Sequence, residues 1–72
     1  MEEAYSYEIK ELDQAIDSGK PVRIIFNNGF QTTAVIEAYN YDVILCRVKD
    51  ERWMVYKHNV STIVLEQSRG AK

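Results

Sequence analysis

The sequence is short of nearly everything that small proteins use to hold themselves together. Its 72 residues include one cysteine, one histidine, one proline and three glycines. A lone Cys46 excludes an internal disulfide. A structural zinc takes about four soft ligands, and Cys46 and His58 are the only ones available. No apolar run approaches the ~20 residues of a membrane span, so no membrane partner is expected. The Met-Glu-Glu start lacks the basic region of a secretory signal. A soluble chain in the reducing cytoplasm is the expectation, with Cys46 a small buried hydrophobe. Catalytic equipment is scarce too. There is a single imidazole, no glycine-rich phosphate loop, and a cysteine set in an apolar run where a thiolate is disfavoured. Neither an enzyme nor a cofactor is expected.

What is present is an ordinary globular mixture, 46% hydrophobic with 28% charged residues, which excludes a disordered chain. A domain of this length hides only about 60% of the surface its unfolded form exposes. With disulfides and metal set aside, association with further copies is the remaining way to enlarge the core. Charge is divided along the chain. Residues 1–19 carry six acids against Lys10, a net of −5, whereas residues 20–72 carry eight Lys or Arg against five acids, a net of +3. An acidic front and a mildly basic body hint at a charged partner, although both also suit solvated faces.

The front segment has the helical period. Tyr5, Ile9, Leu12 and Ile16 recur at spacings of four, three and four. Ser6 suits the N-cap, Glu8 the positive first turn, and Gly19 the left-handed position past the last turn; Pro21 forbids continuation. A helix over roughly residues 7–18 follows. After Pro21 the pattern is strand and tight turn. Val22–Phe26 is apolar and β-branched, and Asn28-Gly29 marks a hairpin. The next run, Phe30 to Tyr39, places Phe30, Thr32, Ala34, Ile36 and Ala38 on one face and Gln31, Thr33, Val35, Glu37 and Tyr39 on the other. Val43–Cys46, Trp53–Lys57 and Val60–Leu65 complete five short antiparallel strands, with Lys49-Asp50-Glu51 a polar turn. The fold class is α+β, a small half-closed barrel. A single domain over 1–66 is expected, followed by a flexible polar tail over 67–72. The last strand has almost no charge to blunt its edge, which invites pairing with another chain.

Tyr56-Lys57-His58 ends one strand and meets a turn, so its side chains are displayed at a rim. An aromatic ring, a cation and an imidazole together can stack a base, neutralise a phosphate and bond a base edge. The same residues also suit a core-lining ring, a solvated cation and a turn. Tyr39 and Tyr41 flank Asn40 on another turn, and Phe30 follows Asn28-Gly29 as a core anchor or an exposed stacking surface.

The run from Met54 to Val64, Met-Val-Tyr-Lys-His-Asn-Val-Ser-Thr-Ile-Val, resembles the C-terminal signature of the Hfq family, the bacterial Sm-like RNA chaperones. Asn28-Gly29-Phe30-Gln31, and Ile36-Glu37-Ala38-Tyr39 before Val43-Ile44-Leu45, agree in order and spacing, so that the resemblance spans about residues 7–66. It implies an Sm-like fold, with an N-terminal helix on a strongly bent five-stranded antiparallel sheet. It also implies edge-to-edge joining of the fourth and fifth strands into a homo-oligomeric ring, usually a hexamer. Family members bind single-stranded U-rich RNA on the helix-bearing (proximal) face and A-rich RNA on the opposite (distal) face, and help small regulatory RNAs meet messenger targets. By position, Tyr56, Lys57 and His58 would line the uridine pocket, and Gly29, Phe30 and Gln31 would contribute to the distal face.

Departures from the pattern are specific. Glu8 stands where a glutamine is common, Asp42 where uracil stacks on an aromatic ring, and Tyr41 precedes it in place of a glutamine. Tyr41 could serve the proximal site only if a bulge shifts the register. Ile16-Asp17-Ser18-Gly19 replaces an arginine-rich helix end, and Ala34 replaces a strand glycine. Glu8 and Asp42 therefore predict weak proximal binding of oligo-U. Two classes of function stay open: an RNA-binding ring, and an Sm-like oligomeric scaffold for a protein partner.

Overall fold

The computed structural model describes residues 7–65. The tail over 67–72, the N-cap Ser6 and the helix-face Tyr5 lie outside them. Helix α1 runs Tyr7–Ser18 and buries Leu12 and Ala15, with Ile16 packed beside them. It stops where the sequence says it must. Gly19 adopts φ 68°, and its N–H donates to the carbonyls of Ala15 and Ile16 at 3.1 and 3.2 Å. A side chain there would meet the left-handed penalty of ~1–2 kcal/mol.

Five strands follow: β1 Val22–Phe26, β2 Gln31–Tyr39, β3 Val43–Val48, β4 Glu51–Tyr56 and β5 Val60–Val64. Their order in the sheet is β4-β3-β2-β1-β5, every pair antiparallel. A helix on a five-stranded antiparallel sheet is the architecture the resemblance implies. The sheet wraps around one core in which Ile24, Ile36, Ile44 and Cys46 are fully buried, and α1 covers it with Leu12 and Ala15. Among the described residues no polar or charged side chain is buried.

Two expectations are corrected. The turn after β3 is not Lys49-Asp50-Glu51 but Lys49-Asp50 alone, with Lys49 at φ 57°. The strands lengthen because Val48 continues the inward series Ile44, Cys46, Val48 and pairs with Glu51. The second correction concerns the end of β2. Ile36 pairs with Cys46 but Ala38 pairs with Leu45, so Glu37 is the extra residue of a bulge. Beyond it the alternation inverts: Ala38 is exposed, and Tyr39, assigned to the opposite face by a strict period of two, packs against the core. A second irregularity, between Ile25 and Phe26 where β1 meets β5, bends the other half of the sheet.

Burial, and secondarily the negative charge of Glu37, raise the Cys46 thiol above its ordinary value. The group is therefore protonated and inert in the folded chain. Because the folded value exceeds the unfolded one, stability linked to Cys46 is complete below the ordinary thiol range and declines as pH rises through it. A disulfide reagent at pH 8 should label Cys46 only as denaturant opens the core. Rapid stoichiometric labelling of the native protein would contradict this burial.

Candidate nucleic-acid interface

β4 ends at Tyr56, and Lys57–Asn59 form one 3-10 turn before β5. The turn has no side-chain cap of its own, so other segments hold it. The Lys57 N–H donates to the Asp42 carbonyl at 2.9 Å. Asn27 contributes twice: its Nδ2 donates to the His58 carbonyl and its backbone N–H to the Asn59 carbonyl, each at 2.8 Å. The main chain of the turn is thus fixed by the end of β1 on one side and by the Asn40–Asp42 turn on the other.

Side-chain directions follow the strand period into the turn. Tyr56 and His58 lie together, ring centroids 6.1 Å apart with planes tilted 38°. Both are exposed, and a planar base could lie against them. Lys57 points the other way, towards α1. Its Nζ is ion-paired with Glu8 and sits 5.3 Å from the centroid of the Tyr39 ring. The Tyr39 hydroxyl in turn donates to Asp13 Oδ1 at 2.7 Å. Two helix acids therefore converge on Lys57, one directly and one through a tyrosine, and its side chain is only 21% exposed. Beside it, an open groove of about 440 Å³ runs between α1 and β5, lined by Tyr7, Glu8, Leu12, Lys57, Val60 and Ile63 among others.

Tyr41 is elsewhere. The Asn40 side chain organises its turn by accepting from the Asp42 and Val43 N–H groups, both at 2.8 Å, and no bulge shifts the register there. Tyr41 is 91% exposed and makes no ring contact with Tyr56 or His58. The structure brings Tyr56 and His58 together and separates Lys57 and Tyr41 from them.

The second set, Gly29, Phe30 and Gln31, closes the β1–β2 hairpin. Gly29 takes φ 92° and donates to the Phe26 carbonyl at 2.9 Å, while the Phe30 N–H donates to Asn28 Oδ1 at 3.0 Å. Phe30 is half exposed, resting on Phe26 at 5.8 Å between centroids, and Gln31 is exposed on the first position of β2. Trp53 joins this site, a residue whose part here the sequence pattern does not reveal. Together with Phe26, Asn27, Asn28, Phe30 and Asn59 it lines an open cavity of about 420 Å³. Its Nε1–H donates to Glu51 Oε1 at 2.9 Å, which leaves the ring itself as the contact surface. The available signal was its place two residues before the inward-facing Val55 on β4. Since Asn27 belongs to one turn and anchors the other, the two sites share a support.

Comparison with known proteins agrees with this architecture. The family model described as Hfq protein matches residues 10–69. The RNA-binding protein Hfq of Thermosipho melanesiensis is 32% identical over 66 residues, covering 92% of this chain and 77% of that one. Its counterpart from Pseudothermotoga lettingae is 28% identical over 64 residues, covering 89% and 70%. A crystal structure of the pleiotropic translational regulator Hfq superposes with a TM-score of 0.81 at 30% identity, covering 83% of this chain and all of that one. By the family match, the relatives and the shared helix-plus-five-strand Sm-like fold, the chain belongs to the Hfq family.

Proposed function

We propose that this chain assembles into a homo-oligomeric ring, a hexamer, that binds single-stranded RNA in the cytoplasm and acts as an RNA chaperone in post-transcriptional regulation. The observation that carries the reading is the pinned Tyr56-Lys57-His58 turn, which holds an exposed ring pair at the end of an edge strand in a chain of this family. Ring formation uses the two open edges: β4 of one copy pairs with β5 of the next. Each turn is then repeated around a common axis, and weak single contacts add up through effective concentration.

The two faces are unequal. On the proximal face, Tyr56 and His58 offer stacking and a base-edge partner, with Tyr41 an exposed ring on the neighbouring turn, but the cation Lys57 is already neutralised by Glu8. Uridine-rich RNA must compete with that carboxylate, so it binds weakly. On the distal face, Gly29 lets the backbone turn tightly, Phe30 and Trp53 supply stacking surface, and Gln31 supplies amide donors and acceptors for A-rich RNA. The scaffold reading draws on the same Glu8–Lys57 pair, since a proximal face without a free cation suits a protein partner as well.

Fluorescence anisotropy with labelled oligo-U and oligo-A separates these outcomes. Oligo-A should bind more tightly, and Phe30→Ala should weaken it by about tenfold, within the ~1–3 kcal/mol of one lost stacking interaction, while leaving oligo-U unchanged. Glu8→Gln should tighten oligo-U and steepen its dependence on salt, because every further phosphate neutralised adds ~0.7 to the slope for single strands. Tight oligo-U binding by the unmodified chain that ignores Glu8→Gln would contradict the proximal account. An intact ring that binds neither oligonucleotide would favour the scaffold.

A further inference from the structure

The Tyr56-Lys57-His58 turn carries two side chains that can be cationic, and the fold treats them differently. Lys57 is held on the side of α1. Glu8 pairs with its Nζ, which lies 5.3 Å from the centroid of the Tyr39 ring, and Asp13 Oδ1 fixes that ring by accepting from its hydroxyl at 2.7 Å. Tyr39 reaches this position because the Glu37 bulge inverts the end of β2. To meet a phosphate, Lys57 must leave a carboxylate and an aromatic face together. At neutral pH the turn therefore presents an ammonium that is already occupied.

His58 stands apart from that network. Its side chain is exposed beside the Tyr56 ring, 6.1 Å between centroids, on the surface where a base would lie. The fold does not rely on the imidazole, because Asn27 Nδ2 bonds the His58 carbonyl rather than the ring. Few charged or titratable groups surround it. β4 contributes the Tyr56 phenol, the end of β1 only the neutral Asn27, β5 none, and the Asn40–Asp42 turn Tyr41 and Asp42. The α1 acids that reach the turn, Glu8 and Asp13, are directed to Lys57 and Tyr39. Among the described residues, His58 has no ion pair. An imidazole gains its charge between about pH 8 and about pH 5. A proton taken up here adds a cation that no helix carboxylate answers.

We infer that protonation of His58 gates the proximal site: in mild acid the turn takes the phosphodiester of U-rich single-stranded RNA through an imidazolium, and at neutral pH it has no free cation for it. The inference rests on the proximal reading of this turn and names its regulation. Stacking on Tyr56 is available throughout the range; only the charge beside it changes. A polyanion binds the protonated ring better, so binding takes up a proton and acidification favours it. In the proposed ring the gain is repeated in every copy.

Labelled oligo-U is the probe, because uracil itself neither gains nor loses a proton over this range. Anisotropy on the full chain should show its affinity rising about tenfold from about pH 8 to about pH 5.5. The slope of log affinity against log salt should steepen by ~0.7 for each phosphate gained. His58→Gln, which stays polar but cannot be charged, should bind equally at the two pH values. Glu8→Gln should bind more tightly at both and keep the rise, since it frees Lys57 without touching the imidazole. Native mass spectra of each variant at both pH values check that the assembly is intact. A flat response in the unmodified chain, with Glu8→Gln still tightening oligo-U, overturns the gate and leaves the proximal reading standing. A rise that survives His58→Gln places the proton on a carboxylate and also overturns the gate. Oligo-U bound at neither pH, by the unmodified chain or by Glu8→Gln, removes the proximal reading with it.

Discussion

The sheet is left with two unpaired edges, and the proposed ring and its display of RNA would both depend on them. β4 and β5 sit at opposite ends of the strand order, each with a row of backbone donors and acceptors turned outward. The chain does not close on itself: the five strands wrap around Ile24, Ile36, Ile44 and Cys46, but β4 and β5 do not pair with each other. Met54 and Tyr56 expose large apolar surface beside the β4 edge, and Ser61 and Thr62 leave the β5 edge uncharged. Pairing one edge with the other on a second copy is head-to-tail, and such contacts close into a ring when the rotation between subunits allows. The Tyr56-Lys57-His58 turn lies directly between β4 and β5. Assembly would therefore decide whether its rings and charges act singly or as a circle.

Much of this was legible in the sequence, for physical reasons that can be named. The helix and its end follow from a period of 3.6 and a glycine at positive φ, and the first hairpin follows from Asn28-Gly29. Tyr56 and His58 were expected on display where a strand meets a turn, and both are exposed there with their rings 6.1 Å apart. The misses share a cause. A period of two assumes that every residue of a strand is paired, and the bulge at Glu37 breaks that assumption, carrying Tyr39 inward and Ala38 outward. Contacts between distant segments were equally hidden. Glu8 and Lys57 are 49 residues apart, and the sequence suggested only that Glu8 opposes phosphate, not that it holds the cation itself. Trp53 reaches the Phe30 site only because the sheet curls one hairpin turn towards another.

Electrostatics divides the molecule more sharply than its net charge suggests. The acids of α1 occupy Lys57, by a direct ion pair and through the Tyr39 hydroxyl. On the other side of the sheet a single carboxylate, Glu37, is shared between two arginines and cannot neutralise both. Ion pairs this exposed contribute little to folding, typically ~0.2–1 kcal/mol. Their larger effect is on which cations remain available to a polyanion. The same bulge that redirects Tyr39 towards Lys57 places Glu37 between Arg47 and Arg52, so one irregularity in β2 shapes both faces.

The open edges make one measurement decisive. Native mass spectrometry at micromolar concentration should show a single assembly of about six 8.4 kDa chains. Ile63→Asp on β5 should weaken the ring or the fold, since Ile63 packs against the core opposite Ile24 and a charge buried there without a partner costs several kcal/mol. A dominant 8.4 kDa species from the unmodified chain would contradict the central claim that these edges exist to be paired.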